Sequence, residues 1–363
     1  MKKCFRTYKY KRFNSSHSKK QAKRALHHSA WQKSCRRHNQ FQSDRQIKTK
    51  NARRHKFWDY KKVRAPQCFS FIKNPKEVSK FIQRLKKHFV RKEKVFVVLE
   101  DVHEVGYGAI VVLLSIMVKF KAQGIKFNGN FPADPIVDLQ IKRSGFFDNL
   151  FSTFKDTQQY QISSSQKHGI HTHANKSVSA KLGSDIITDA TKTIWGEERR
   201  CQGVQRVLVE LMQNTNNHAD IGKQGEKHWW LSVNHDQEAK RVSFSFVDYG
   251  VGVFTSLENK KEGSKFFDWK PILSNVFSIT SNTEVMKLIL SGELHKTVTG
   301  KPFRGKGLPG IAQALKRNQI SNLFVITNNV YSNVANEEYT VMTIPFSGTF
   351  IYWEVSEDNE NCK

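Results

Sequence analysis

From about residue 67 onward, apolar positions alternate between strand-like runs and helical periodicity. Residues 67–72 read as a short strand. Asn74 then stands at a helix N-cap and Pro75 at the first helical position, where its missing N–H is harmless. The helix that follows turns Val78, Phe81, Ile82, Leu85 and Phe89 to one side. Residues 94–99 (KVFVVL) form a buried strand and residues 108–120 an apolar helix that Gly124 stops. Residues 125–128 resume a strand, and residues 135–144 offer another helix. Strands alternating with helices imply a small α/β layer with a partly parallel sheet.

A second patterned region begins near residue 195. Within GVQRVLVELMQNTNNHA (203–219), apolar residues at 204, 207, 208, 211 and 212 mark an amphipathic helix. Residues 228–233 (HWWLSV) and 241–247 (RVSFSFV) read as two strands of a hairpin, with at least one of Trp229 and Trp230 in the core. RGKGLPGI (304–311) precedes a further helix, and SGTFIYWEV enters a last strand. Residues 155–190, rich in Ser, Gln, His, Lys and Thr, read as a connector or mobile segment.

Residues 1–65 show neither periodicity. They hold 22 basic side chains against Asp44 and Asp59, so +20 of the chain's net +28 sits there and about +8 in the remaining 298 residues. Such a segment buries too little apolar surface to offset its ordering entropy, and a disordered or partly helical arm is expected. Phe5, Tyr8, Tyr10, Phe13, Trp31, Phe41, Phe57, Trp58 and Tyr60 are interleaved with the charges. Cations meet phosphates and aromatic faces stack on bases, which suits RNA or DNA. A solvated tail, or one touching acidic lipid, is the alternative.

Cys4, Cys35, Cys68, Cys201 and Cys362 are scattered, which excludes a disulfide framework and points to a reducing, cytoplasmic setting. Cys35 with His38 is at most half a zinc site; His168, His171 and His173 lack acidic or cysteine neighbours for one; Cys201 reads as a small apolar filler. The amino terminus has no apolar signal segment, and the longest apolar run, residues 109–118, falls short of the roughly 20 residues that span a bilayer.

Three constellations carry chemistry. Glu210 and Asn214 are four apart on one helix flank, with Asn217 near the same stripe; they can serve a water and a magnesium ion, or be a solvated helix edge. Asp248-Tyr249-Gly250-Val251-Gly252 ends a strand, where a carboxylate can accept from an exocyclic amine and glycines admit close approach; alone it is also a common turn. Gly305, Gly307 and Gly310 ahead of a helix N-terminus make a cradle of N–H groups for phosphate. The P-loop pattern is missing, and no strand leads into Gly305 as a dinucleotide fingerprint requires.

The run VVLEDVHEVGYGAIVVLLSIMVKFKAQGIKF, over roughly residues 66–150, resembles a STAS-type domain, although its loop, residues 104–108, has no hydroxyl at the usual serine place. Residues 195–355 resemble the GHKL (Bergerat-fold) ATPases, the superfamily of gyrase, mismatch-repair ATPases, heat-shock chaperones, histidine kinases and anti-sigma kinases. The N-box is met by Glu210 and Asn214, with His218 in the anti-sigma-kinase style; the adenine box by Asp248, Gly250 and Gly252; the glycine box by Gly305, Lys306, Gly307, Leu308 and Gly310; and the final Gly-Thr by Gly348 and Thr349. The resemblance implies ATP and Mg2+ as cofactors, Glu210 as general base and Asn214 as magnesium ligand. It makes Asp248 the adenine reader, puts Gly305, Gly307 and Gly310 on the phosphates, and has Thr349 support the pocket. Asn217 replaces a basic residue of many relatives, and Lys306 puts a charge into the glycine box.

The expected architecture is therefore α/β: a disordered basic arm (1–65), a smaller STAS-like α/β domain (66–150), a connector (151–194), a Bergerat α/β sandwich of a mixed sheet with helices on one face (195–355), and a tail (356–363). The expected function is an ATPase acting as a nucleotide-dependent switch, on a nucleic acid through the arm or on a protein through the STAS-like domain. An anti-sigma-type protein kinase, or a nucleic-acid-binding adaptor with a non-hydrolysing site, are the alternatives.

Overall fold

The computed structural model describes residues 11–12, 15–21, 23, 57–151, 169–173, 180–218, 229–248, 250, 252–258, 281–293 and 307–359. Most of the arm, the Cys35–His38 pair, His168, Gly305 and Lys306 lie outside the described residues. Within the arm, residues 15–21 form an exposed helix. The chain divides into two compact units, Met1–Tyr60 and Lys61–Lys363, and the second holds every element that follows.

The second unit opens with strand β1 (Lys61–Arg64), inside the stretch expected as arm. Val63 is buried between three exposed cations, an alternation that four residues cannot make visible within a basic run. After β2 (Cys68–Phe69) comes helix α1 (Pro75–Val90), with Pro75 in its first turn. Asn74 occupies the N-cap position without capping: its amide donates to the Cys68 carbonyl at 3.1 Å, tying the helix start to β2. Strand β3 (Val95–Val98), the short β4 (Glu104–Val105), helix α2 (Tyr107–Ala122) and β5 (Phe127–Gly129) follow. Asp134 accepts from the Ile136 and Val137 amides at the start of α3 (Pro135–Arg143), and α4 (Phe146–Phe151) closes this layer. The strands β1-β3-β5 form a parallel sheet and β2 pairs with β4, also parallel.

Strand β6 (Gly169–His173) and helix α5 (Ala180–Trp195) fall within the expected connector. Leu182, Ile186, Ile187, Ala190 and Ile194 recur at helical spacing and are buried. The polar composition of the whole stretch obscures that pattern. Helix α6 (Gln202–His218), β7 (Trp229–Asp236), β8 (Arg241–Asp248), α7 (Val253–Glu258), α8 (Asn282–Ser291), α9 (Gly307–Lys316), β9 (Ser321–Asn333) and β10 (Glu338–Ser356) complete the described elements.

The large sheet runs β6-β7-β8-β10-β9, and every pair in it is antiparallel rather than mixed. Two tight reversals, at residues 237–240 and 334–337, join β7 to β8 and β9 to β10, and a tight hairpin can only be antiparallel. Lys240 and Glu337 take the positive φ that closes them.

Both faces of this sheet are covered, not one. Trp229, Leu231, Phe244, Phe246, Ile351 and Trp353 face a core shared with α5, α6, α8 and α9. The intervening Trp230, Val247, Ile326, Phe346 and Phe350 face a second core built from residues 61–150. Helix α2 lies against β7 and β8, and Gly108 lets it approach: a Cβ there would stand 2.5 Å from the Phe350 ring and 3.2 Å from Ser245 Oγ. Residues 61–150 and the helices α5, α6, α8 and α9 therefore pack on opposite faces of one sheet. Among the described residues, no helix is long and apolar enough to cross a membrane.

Candidate functional site

The strand register assembles a row of side chains across the sheet. Trp229 is paired with Asp248, Asp248 with Thr349, and Thr349 with Thr327. Side chains alternate along a strand, so Asp248 shares the face of Phe244 and Phe246, and Thr349 that of Ile351 and Trp353. The row therefore looks toward the helix layer. Thr215 of α6 reaches it with a hydrogen bond to the Asp248 carboxylate, as does the amide of Gly250. Burial pushes the Asp248 carboxyl up from its ordinary 3.8 to about 6, against the downward pull of those two donors.

The loop after Asp248 is fixed from below by β9. Thr327 is fully buried; its hydroxyl accepts from the Val253 amide at 3.0 Å and reaches the Gly348 carbonyl at 3.0 Å and Thr349 Oγ1 at 3.3 Å. Asn328 accepts from the Phe254 amide and donates to Thr255 Oγ1. These bonds satisfy the first donors of α7, which have no intrahelical partner. Gly252 sits at φ +83° with the Asn328 side chain where a Cβ would go, so both conformation and space require glycine.

The second cluster lies on the same helix α6. Val204, Val207, Leu208, Leu211 and Met212 are all buried, as the periodicity predicts, and this orients Glu210 along the edge of the core. Glu210 is only 7% exposed; Arg206, one turn earlier, holds its carboxylate at 2.8 Å. Gly310 packs against the other oxygen, with room for no more than a hydrogen: a Cβ would lie 2.6 Å from Glu210 Oε2. Among the described residues helix α9 covers Gly307–Lys316, so Gly307, Leu308 and Gly310 stand within a helix rather than in a loop ahead of it. Pro309 allows this because the first-turn residues of a helix need no N–H. Helix α9 thus meets α6 where Gly310 faces Glu210.

The fold thus gathers Asp248, Gly250, Gly252 and Thr349 at the sheet end, and Glu210, Gly307, Leu308 and Gly310 between α6 and α9. Helix α6 touches both groups, through Thr215 and Glu210. Asn214, Asn217 and His218 occupy the last turns of α6 in its backbone; their side chains lie outside the described residues, as do Gly305 and Lys306. Thr215, Thr327 and Asn328 were not foreseen. Thr215 stands among asparagines that drew attention first, and the pairing of Thr327 with Thr349 exists only in the folded register. Among the described residues no group of three or more His, Cys, Asp or Glu is arranged to hold a metal. A separate cleft of about 170 Å³, lined in part by Ser70, Tyr107, Arg241 and Glu354, opens on the opposite face and contains none of these residues. Compared with known protein families, curated proteins and solved structures, the chain matches none of them.

Proposed function

We propose that residues 195–355 bind Mg-ATP in the manner of a GHKL ATPase and use it as a switch on a nucleic-acid or protein partner. One observation carries this reading. Four sequence motifs 38 to 139 residues apart converge on one face of the sheet: Asp248 beside Thr349, Glu210 on the helix above, and Gly310 against Glu210.

The residues present suit the group. Asp248 offers a desolvated acceptor at a strand end, where a purine amine can donate to it. Gly250 and Gly252 add no side chain of their own to the loop that follows Asp248. Amides at the start of α9, with the positive end of its helix dipole, would suit phosphate oxygens. The resemblance gives Asn214, four residues beyond Glu210 in sequence, the part of a magnesium ligand beside those oxygens. Bound ATP supplies a high-energy phosphoanhydride. The chain's own part is to hold the base at Asp248, to fix Glu210 with Arg206, and to take a proton from water onto a Glu210 oxygen. Gly310 of α9 lies against Glu210 Oε2 and shields that side of the carboxylate from bulk water.

The test is calorimetric titration of ATP and Mg2+ into wild-type protein and Asp248→Asn, with phosphate release followed in Glu210→Gln. Equal ATP affinity in the first pair, or no binding by the wild type, overturns the reading.

A further inference from the structure

The net charge is even more localised than the arm suggests. Residues 61–94 add twelve basic side chains against Glu77 and Glu93, so residues 1–94 carry +27 of the total +28. The structure places this second group on a folded surface. Along α1, Lys76, Lys80, Arg84, Lys87 and Arg91 follow at intervals of four, four, three and four residues. At 100° per residue they fall within one narrow stripe, opposite the buried Val78, Phe81, Ile82 and Leu85, and extend about 22 Å along the axis. Lys76, Arg84, Lys87 and Arg91 are exposed and enter no ion pair among the described residues; Lys80 has only Glu77, at 3.6 Å. The other acid, Glu93, is engaged by His88 at 2.6 Å.

Ordinary explanations account for only part of this. Lysines on β1 keep the free edge of its sheet from pairing with another chain, which explains Lys61, Lys62 and Arg64. A merely solvated helix face normally mixes both signs, and this stripe does not. No exposed aromatic lies within the stripe to stack on bases.

We infer that the outer face of α1 is a rigid phosphodiester-binding surface, engaging the backbone of duplex nucleic acid without reading its sequence. The spacing supports this: a cation every 5–6 Å of helix meets a polyanion carrying one charge per roughly 1.7 Å of duplex axis. The inference extends the nucleic-acid half of the proposed function and is independent of the nucleotide site. The arm, with its interleaved aromatics, suits single strands; α1 suits the backbone.

The test uses the full chain. Lys76→Gln/Arg84→Gln/Lys87→Gln is compared with Lys33→Gln/Arg36→Gln/Arg37→Gln, which removes equal charge from the arm. Binding to a 25-base-pair duplex is followed by anisotropy across a salt series. Three lost phosphate contacts lower the slope of log affinity against log salt by about 2.7, and affinity near 0.1 M salt on the order of 10²–10³-fold. The changed side chains are exposed, so thermal melting should stay parental. In the wild type, duplex should slow amine acylation of Lys76, Lys80 and Lys87 but not of Lys181 and Lys316. An unchanged slope in the α1 variant, or no protection of the three lysines, overturns the inference. Loss of binding to phosphatidylserine vesicles with duplex binding intact would also overturn it, in favour of a membrane surface. Failure of the wild type to bind duplex sinks this inference, while single-strand binding by the arm and calorimetric ATP binding stand or fall by themselves.

Discussion

Replacing Asp248 by asparagine should move stability and ligand affinity in opposite directions. The carboxyl titrates at about 6 in the folded protein against an ordinary 3.8, because burial disfavours its charge. A folded value above the unfolded one means that its contribution to stability is fully present below about pH 4 and lost as pH rises through 6. At neutral pH the buried carboxylate therefore costs roughly 3 kcal/mol, two units at about 1.4 kcal/mol each. Asparagine removes that charge but weakens the bonds from Gly250 and Thr215, by about 1 kcal/mol in sum. The net expectation is a variant more stable by about 1–2 kcal/mol at pH 7, or about 2–6 °C in Tm. The advantage should shrink as pH is lowered toward 4, where the wild-type carboxyl is neutral as well. Affinity for ATP should fall about 10- to 150-fold, the worth of one charge-assisted hydrogen bond of 1.5–3 kcal/mol. Differential scanning calorimetry from pH 4 to 8 and ATP titration of the same two proteins measure both. A variant that is less stable at pH 7 refutes the burial argument; one that binds ATP like its parent refutes the adenine contact.

Three further substitutions probe the rest of the site. Glu210→Gln should lower phosphate release about 10²–10⁴-fold while leaving a non-hydrolysable analogue bound at parental affinity; an unchanged rate in purified protein removes Glu210 from the chemistry. Gly310→Ala would ordinarily stabilise a helix by about 0.5–1 kcal/mol, but here the new methyl meets Glu210 Oε2, so denaturant unfolding should show no gain and turnover should drop. A full gain with unaltered turnover would show that Gly310 does not confine Glu210. Gly252→Ala should cost about 1–3 kcal/mol through its positive φ and the crowding of Asn328, read as a lower urea midpoint; a midpoint equal to the parent's would contradict the loop geometry.

Helices with a clean apolar stripe were legible in the sequence. The runs that became α1 and α6 bury the residues their spacing names, Phe89 only in part, and residues 108–120 lie wholly inside α2. Punctuation was readable too: Gly124 stops α2 at φ +66°, and Pro75 opens α1. Strand partners were not. Thr349 and Asp248 are 101 residues apart, and nothing local in either motif specifies that β10 lies between β8 and β9. Short elements such as β1 and β4 carry too few residues to show a period, and α5 was averaged away by its polar flanks. The second covering layer of the sheet is visible in hindsight in β8: Val247 is as buried as Phe246, which a one-sided sheet would not require.

The contact between Gly108, Ser245 and Phe350 has a consequence for how such a chain can evolve. One position has no side chain, one has a small one and one has a large ring, and the three fill a single space between α2 and the sheet. An enlargement at any of them is excluded until another shrinks. Chains descended from the same ancestor should therefore exchange bulk among these three positions, keeping the sum nearly constant while the individual residues drift. Such a compensating triplet would mark common descent of the whole 61–363 unit, since neither half alone has any reason to preserve it.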